Sequence, residues 1–203
     1  MKLITSIGPN PHVVRMFMAE KGVELPTETI DLMGAENRRE PFVSKNVAGQ
    51  SPALELDDGS YLAEITAICE YLDEKFPQKT LIGSTPEQRA ETRMWARRVD
   101  LNILEPMANG FRFAEGLPMF SSRMTVLPEA ADGLKRLARE KLTWLDGLVG
   151  HKQFICGDRL TLADILLYCF LSFGKTVGQP LDPANKNLTQ WYARMDARPS
   201  AKA

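Results

Sequence analysis

The sequence predicts a chain in two parts, a small α/β domain over residues 1–77 and an all-helical domain over 87–203, joined by a linker at 78–86. Three observations carry this. Short apolar runs with strand-like alternation occur before Pro77 and stop there, helical spacing takes over from Glu87, and Gln78 to Pro86 is rich in Gly, Ser, Thr and Pro.

Lys2 to Ser6 reads as a first strand. Asn10-Pro11 then opens a helix with Asn10 as N-cap and Pro11 in the first helical position, Val13, Val14, Phe17 and Met18 as its apolar residues, and Lys21-Gly22 as its end. Glu28 to Leu32 alternates as a second strand, and Met33 to Gln50 is irregular. Ala53 to Leu56, the turn Asp57-Asp58-Gly59 and Ser60 to Leu62 form a hairpin. From Glu64 the period is helical, with Ile65, Ile68, Leu72 and Phe76 on one face and Pro77 stopping the run.

In the second domain the helical sets are Met94, Trp95, Val99, Ile103 and Leu104, then Leu134, Leu137, Lys141, Leu145 and Leu148, and finally Leu188, Trp191, Tyr192 and Met195. Pro106 is expected to bend or end the first of these. Leu160-Thr161-Leu162-Ala163-Asp164-Ile165 is a helix start, with Thr161 as N-cap, Asp164 at the third helical position and Leu160 with Ile165 as a hydrophobic staple. The helix it opens, Leu162 to about Phe173, carries Ile165, Leu166, Cys169 and Phe173 and reads as nearly all buried.

Composition excludes several functions. With 25 Lys and Arg against 26 Asp and Glu, the net charge of −1 gives no field to hold a polyanion or an anionic membrane, so nucleic acid is not expected as a partner. No apolar run approaches the roughly 18 residues needed to span a bilayer. Residues Met1 to Ser6 meet Gly8-Pro9 before a signal-peptide core can extend, which places the chain in the cytoplasm as an expectation. Cys69, Cys156 and Cys169 are odd in number, lack C-x-x-C spacing and sit among apolar residues, as reduced packed thiols do. His12 and His151 are the only histidines, so a histidine-rich metal site is not expected.

Three segments together resemble the glutathione transferase superfamily. Gly49-Gln50-Ser51-Pro52-Ala53-Leu54-Glu55-Leu56-Asp57-Asp58-Gly59 is similar to its G-x-V-P-x-L-x-x-x-D-G strand entry, Glu64-Ile65-Thr66-Ala67-Ile68-Cys69-Glu70-Tyr71-Leu72 to its E-S-x-A-I-x-x-Y-L helix, and Gly157 to Asp164 to its G-D-x-x-[ST]-x-A-D capping box. With Arg15 and Glu20-Lys21-Gly22 in the first helix, the resemblance spans nearly the whole chain. It implies a thioredoxin-like βαβαββα domain that binds glutathione as co-substrate, a helical domain that supplies the wall for a hydrophobic electrophile, and a homodimer.

The resemblance also implies roles for residues. A cis bond at Pro52 presents the Ser51 main chain to the cysteinyl part of glutathione, and the helix starting at Glu64 receives the γ-glutamyl carboxylate on its free N–H groups. Ile65 stands where the family usually has Ser, which removes a hydroxyl contact; Thr66 is the neighbouring hydroxyl. Lys45, Arg38 and Gln50 are the polar candidates for the glycine carboxylate. No Tyr or Cys lies in Ser6 to Arg15 to activate the thiol. Asn10, in a Pro-Asn-x-His stretch similar to that of disulfide-reducing bacterial classes, is the assigned activator, with Ser6 or a water as the alternatives; His12 reads as a solvent-facing residue of the first helical turn. Phe111, Arg112 and Phe113 are assigned to the electrophile wall. Conjugation of the thiolate to apolar electrophiles is the expected reaction, with glutathione-dependent disulfide or peroxide reduction, or a non-catalytic binding scaffold, as alternatives.

Overall fold

Leu3 and Leu54 lie side by side and point to one face of a sheet, while Ile4 and Ala53, the next pair in register, point to the other and meet Ile30 and Phe42. Both faces are therefore buried, and the strands need little alternation with polar residues. The computed structural model describes residues 1–203. They divide into two units, Met1–Leu81 with Lys202–Ala203, and Ile82–Ala201.

The first unit is thioredoxin-like. Its elements are β1 (Lys2–Thr5), α1 (Pro9–Lys21), β2 (Thr27–Thr29), a 3-10 turn (Glu36–Arg38), α2 (Phe42–Lys45), β3 (Ala53–Glu55), β4 (Tyr61–Leu62) and α3 (Ile65–Lys75). The sheet order is β2-β1-β3-β4, with β1 and β2 parallel and the other pairs antiparallel. α1 buries Val13, Val14, Phe17 and Met18 and ends on Gly22 at φ 67, where the left-handed backbone lets the Gly22 N–H reach the Ala19 carbonyl. β2 is shorter than the alternation suggested. Asp31 turns the chain out of the strand: its carboxylate accepts the Gly34 N–H at 2.8 Å and its own N–H donates to Glu36 Oε2 at 2.7 Å.

Charges tie this unit together at two places. Lys2 Nζ on the central strand lies 2.7 Å from Glu28 and 3.1 Å from Glu55, one on each neighbouring strand. Asp73 on α3 accepts from Lys21 Nζ at 2.7 Å, Thr80 Oγ1 at 2.6 Å and the Leu81 N–H at 2.8 Å, which binds the segment after α3 back onto α1 and α3.

The second unit is helical: α4 (Pro86–Val99), a π-helical turn (Asp100–Leu104), α5 (Glu105–Arg112), α6 (Leu117–Phe120), a 3-10 turn (Pro128–Ala130), α7 (Ala131–Val149), α8 (Leu162–Thr176) and α9 (Lys186–Asp196). Pro106 neither ends nor breaks its helix. The π turn ahead of it hands the Asp100 carbonyl to the Glu105 N–H, so the chain runs helically from Pro86 to Arg112 with the proline in the first turn of α5. No helix is long and apolar enough to cross a membrane.

The α7 face differs from the expected one. Ala131, Ala138, Leu142, Leu145 and Val149 are buried, whereas Leu137, Trp144 and Leu148 face solvent. A Cβ on Gly110 of α5 would stand 2.7 Å from Lys135 Cγ and 3.4 Å from the Lys135 backbone N, so the two helices approach closely over this turn. Met94 on α4 is likewise exposed.

α8 runs through the middle of the unit, buried from Leu162 to Leu171. It starts on the capping box: the Asp164 carboxylate takes the Thr161 N–H at 3.0 Å while Thr161 returns the bond to the Asp164 N–H. The same carboxylate accepts the Ile155 N–H at 2.9 Å and Trp191 Nε1 at 3.0 Å, so one fully buried group joins the loop before α8, its first turn and α9. Burial pushes this carboxyl above its ordinary value, against the pull of the donors around it.

Asp164→Ala leaves several buried N–H groups without acceptors and should cost about 3 kcal/mol or more in chemical denaturation, with activity per folded molecule retained. The Glu28 carboxyl is held below its ordinary 4.5, foremost by the hydrogen bond from Lys2. That stabilisation is present above its ordinary value and lost as pH falls through the lowered native value. Lys2→Met should therefore flatten the acid limb of a stability–pH curve measured by chemical denaturation, and only slightly, because both partners are solvated.

Candidate active site

The register of the sheet brings three chain segments to one end of it. Ile4 pairs with Ala53, so the residues preceding β3 lie beside the end of β1; Leu54 pairs with Leu62, so the residues following β4 lie at the same level. Ser6 to Asn10, Ser51-Pro52 and Ala63-Glu64 thus converge. Both α1 and α3 begin there, each presenting the positive end of its dipole.

The Ser51–Pro52 peptide bond is cis, as is Glu40–Pro41. The strip before it is held by carboxamides. Asn37 Nδ2 donates to the Gly49 carbonyl at 2.6 Å and Asn46 Nδ2 to the Gln50 carbonyl at 2.7 Å, while Asn46 Oδ1 accepts the Ala48 N–H at 3.1 Å. Both asparagines are buried. Neither figured among the residues expected from sequence. The bond from Asn46 to a residue two positions on is a local turn signal that sequence carries; the bond from Asn37 reaches 12 residues along the chain and has no local signature. The Gln50 side chain is exposed.

α1 begins two residues earlier than expected. Pro9 is the first helical residue, Gly8 is the cap at φ 111, and no side chain caps the helix. Asn10 is therefore not an N-cap, and Pro11 is not at the first position. Two prolines within the first three helical residues remove two backbone donors, and the His12 N–H is already bonded to the Gly8 carbonyl at 3.3 Å. Among those three residues, Asn10 alone carries a backbone N–H, beside a half-buried carboxamide. Ser6 is buried, and its hydroxyl donates to the Ile7 carbonyl at 3.1 Å. Arg15 fixes the strand end from α1, with Nη1 3.0 Å from the Ser6 carbonyl and 3.1 Å from Thr5 Oγ1.

Glu64 caps α3 at φ 67, a left-handed conformation that costs a non-glycine residue on the order of 1–3 kcal/mol. Its carbonyl accepts the Ile68 N–H at 2.9 Å and no side chain caps the helix, which leaves the first-turn N–H groups of Ile65, Thr66 and Ala67 to a ligand or to solvent. Ile65 and Thr66 are half-buried. Lys45 is turned to Glu28, with Nζ 3.4 Å from Oε1. Arg38 Nη1 donates to the Ala48 carbonyl at 3.3 Å.

In the second unit, Phe111 meets Phe173 edge to face at 5.1 Å and Phe120 at 6.0 Å. Arg112 lies over the Phe120 ring at 5.8 Å and donates to Asn109 Oδ1 at 2.9 Å. Phe113 is buried in its own unit, while Phe111 and Arg112 at the end of α5 are half-buried. Thr161 and Asp164 lie in the core of this unit, in the cap described above.

A family model described as the glutathione S-transferase N-terminal domain matches residues 7–75, and one described as the glutathione S-transferase C-terminal domain matches 111–199. Glutathione S-transferase 2 of Saccharomyces cerevisiae is 32% identical over 98% of this chain and 86% of its own length. A glutathione S-transferase domain-containing protein of Marinobacter aquaeolei superposes with a TM-score of 0.93 at 34% identity, covering 98% of this chain and 99% of that one. Gtt2 of Saccharomyces cerevisiae superposes with a TM-score of 0.92 at 31% identity, covering 100% and 99%.

A Cβ on Gly8 would meet nothing closer than Pro11 Cδ at 4.0 Å, so space is not the constraint there; the φ of 111 is. Gly8→Ala should lower stability by about 1–3 kcal/mol in thermal unfolding through backbone strain alone.

Proposed function

Since the chain belongs to the glutathione S-transferase family and is an enzyme of that general kind, we propose that it joins the glutathione thiolate to electrophilic, apolar small molecules. The convergence of the Ser51 main chain with the starts of α1 and α3 is the observation that carries this reading. In it, Ser51 pairs with the cysteinyl backbone beside Pro52, the N–H groups after Glu64, beginning with that of Ile65, bind the γ-glutamyl carboxylate, and Gln50 and Arg38 face the glycine end. Lys45 contributes charge from its pair with Glu28.

The thiol has an ordinary pKa of about 8.5, so near neutral pH only a few per cent is thiolate, and each unit of lowering needs about 1.4 kcal/mol of differential stabilisation. Asn10 supplies it as a donor pair, backbone N–H and carboxamide NH₂, at the positive end of α1. A neutral donor takes no proton from the thiol, which is released to solvent. The thiolate then forms the carbon–sulfur bond while the leaving group departs with its electron pair. Phe111 and Arg112 of the helical unit are the residues proposed to meet the electrophile.

The protein's own thiols take no part in this reading. All three cysteines are buried, and burial pushes Cys156 up to about 11. We also propose a cytoplasmic homodimer. On α4 and the π turn, Met94 and Leu101 face solvent with Leu137, Trp144 and Leu148 of α7, and the Trp95–Trp144 contact at 6.3 Å links the two helices. A second copy covers this apolar face.

With a chloronitrobenzene acceptor the protein should turn over glutathione, and Asn10→Ala should lower kcat about tenfold or more with little change in glutathione KM, because the carboxamide acts on the reacting atom. Unchanged turnover in that variant removes Asn10 from the chemistry. Turnover of a glutathione-capped disulfide without conjugation favours the reductase reading, and failure of the protein to bind a glutathione column excludes both.

A further inference from the structure

Residues 36–52 contain one 3-10 turn and one short helix, so little regular backbone pairing holds the strip that leads into Pro52. Yet two consecutive carbonyls of that strip, those of Gly49 and Gln50, are each taken by a buried asparagine carboxamide from a different place, Asn37 in the 3-10 turn and Asn46 at the end of α2. The Asn46 carbonyl in turn accepts the Gly49 N–H at 2.8 Å. Gly49 has φ 58, and a Cβ there would stand 2.9 Å from the Asn37 carbonyl and 3.2 Å from Arg38 Cδ. The strip is pressed against the turn that carries Asn37. Fixing two successive carbonyls fixes the peptide plane between Gln50 and Ser51, and with it the direction of the Ser51 N–H. At the other end Ala53 is held by its pairing with Ile4.

The buried side-chain atoms without a partner lie mostly in the same place. Of four such atoms, three are Asn37 Oδ1, Arg38 Nε and Ser51 Oγ. A core assembled for stability alone would satisfy these groups or replace them with apolar ones. Their cost is borne around one strip, the one whose main chain faces the ligand in the reading above.

We propose that Asn37 and Asn46 are positioning residues for glutathione. They touch no ligand; each holds one carbonyl of the Gly49-Gln50 pair, and so presents the Ser51 main chain in the orientation that pairs with the cysteinyl backbone. The inference rests on the proposed glutathione site and adds to it the pair of side chains that preorganises the shelf.

The test is calorimetric binding of S-methylglutathione, whose blocked sulfur makes affinity independent of thiolate formation. Asn37→Ala and Asn46→Ala should each weaken binding about tenfold and raise glutathione KM to match, with kcat at saturating glutathione within about twofold of the parent. A lower melting temperature with parental affinity and KM would mean that the carboxamides only hold the fold, and would overturn the proposal. Should either alanine variant fail to fold, Gly49→Ala keeps both carboxamides and displaces the strip; it should weaken binding in the same way, and parental affinity there overturns the proposal equally. Failure of the unmutated protein to bind the analogue brings down the glutathione site itself, a different result from variants that bind as well as their parent.

Discussion

Pairing of Ile4 with Ala53 and of Leu54 with Leu62 is the constraint on which the rest of the first unit depends. A slip of one residue in the β1–β3 ladder would bring side chains of the opposite face against Phe42 and Ile30, setting Leu54 where the smaller Ala53 fits beside Ile4. The apolar core therefore locks the register. Because the register also sets which residues emerge at the sheet end, the same packing that stabilises the unit aligns Gly8, Ser51 and Glu64. In the proposed reading, binding of glutathione and stability of the unit share one cause.

The site built on that alignment is one of dipoles and main chain. Its two helices begin without side-chain caps, and the first begins with prolines on either side of Asn10. Capping side chains would satisfy the free donors and leave less for an anion. The unfavourable backbone at Glu64 is consistent with this, since a residue there with ordinary dihedrals would turn the first N–H groups of α3 another way. Stability is recovered elsewhere, in the Lys2 bridge between strands, the Asp73 cluster and the shared carboxylate of Asp164.

Much of the fold was legible in sequence because its signals are local. Alternation gave the hairpin, the change of period after Glu64 gave α3, and Thr161 with Asp164 gave the start of α8 to the residue. The errors have physical origins. Asn10 looked like a cap because Asn is favoured there and Pro follows it, but Pro9 is equally suited to open a helix, and Gly8 can take the backbone angles needed before it. The α7 stripe follows hydrophobicity in sequence, whereas Gly110 of α5 lies against Ala131 and Lys135 of α7, a close approach that hydrophobicity does not signal. Asn37 was out of reach, since its role exists only once Gly49 folds back onto it.

The π turn at Asp100–Leu104 has a further effect on the helix that runs through it. One wide turn offsets the angular phase of everything beyond it, so the helix before it and the helix after it obey separate periodicities although the chain never leaves the helical state. The extra residue in that turn sets a fixed angular offset between the face that bears Met94 and the face that bears Phe111 and Arg112. An unbroken α-helical rod of the same residues would present those two faces at a different angle to each other.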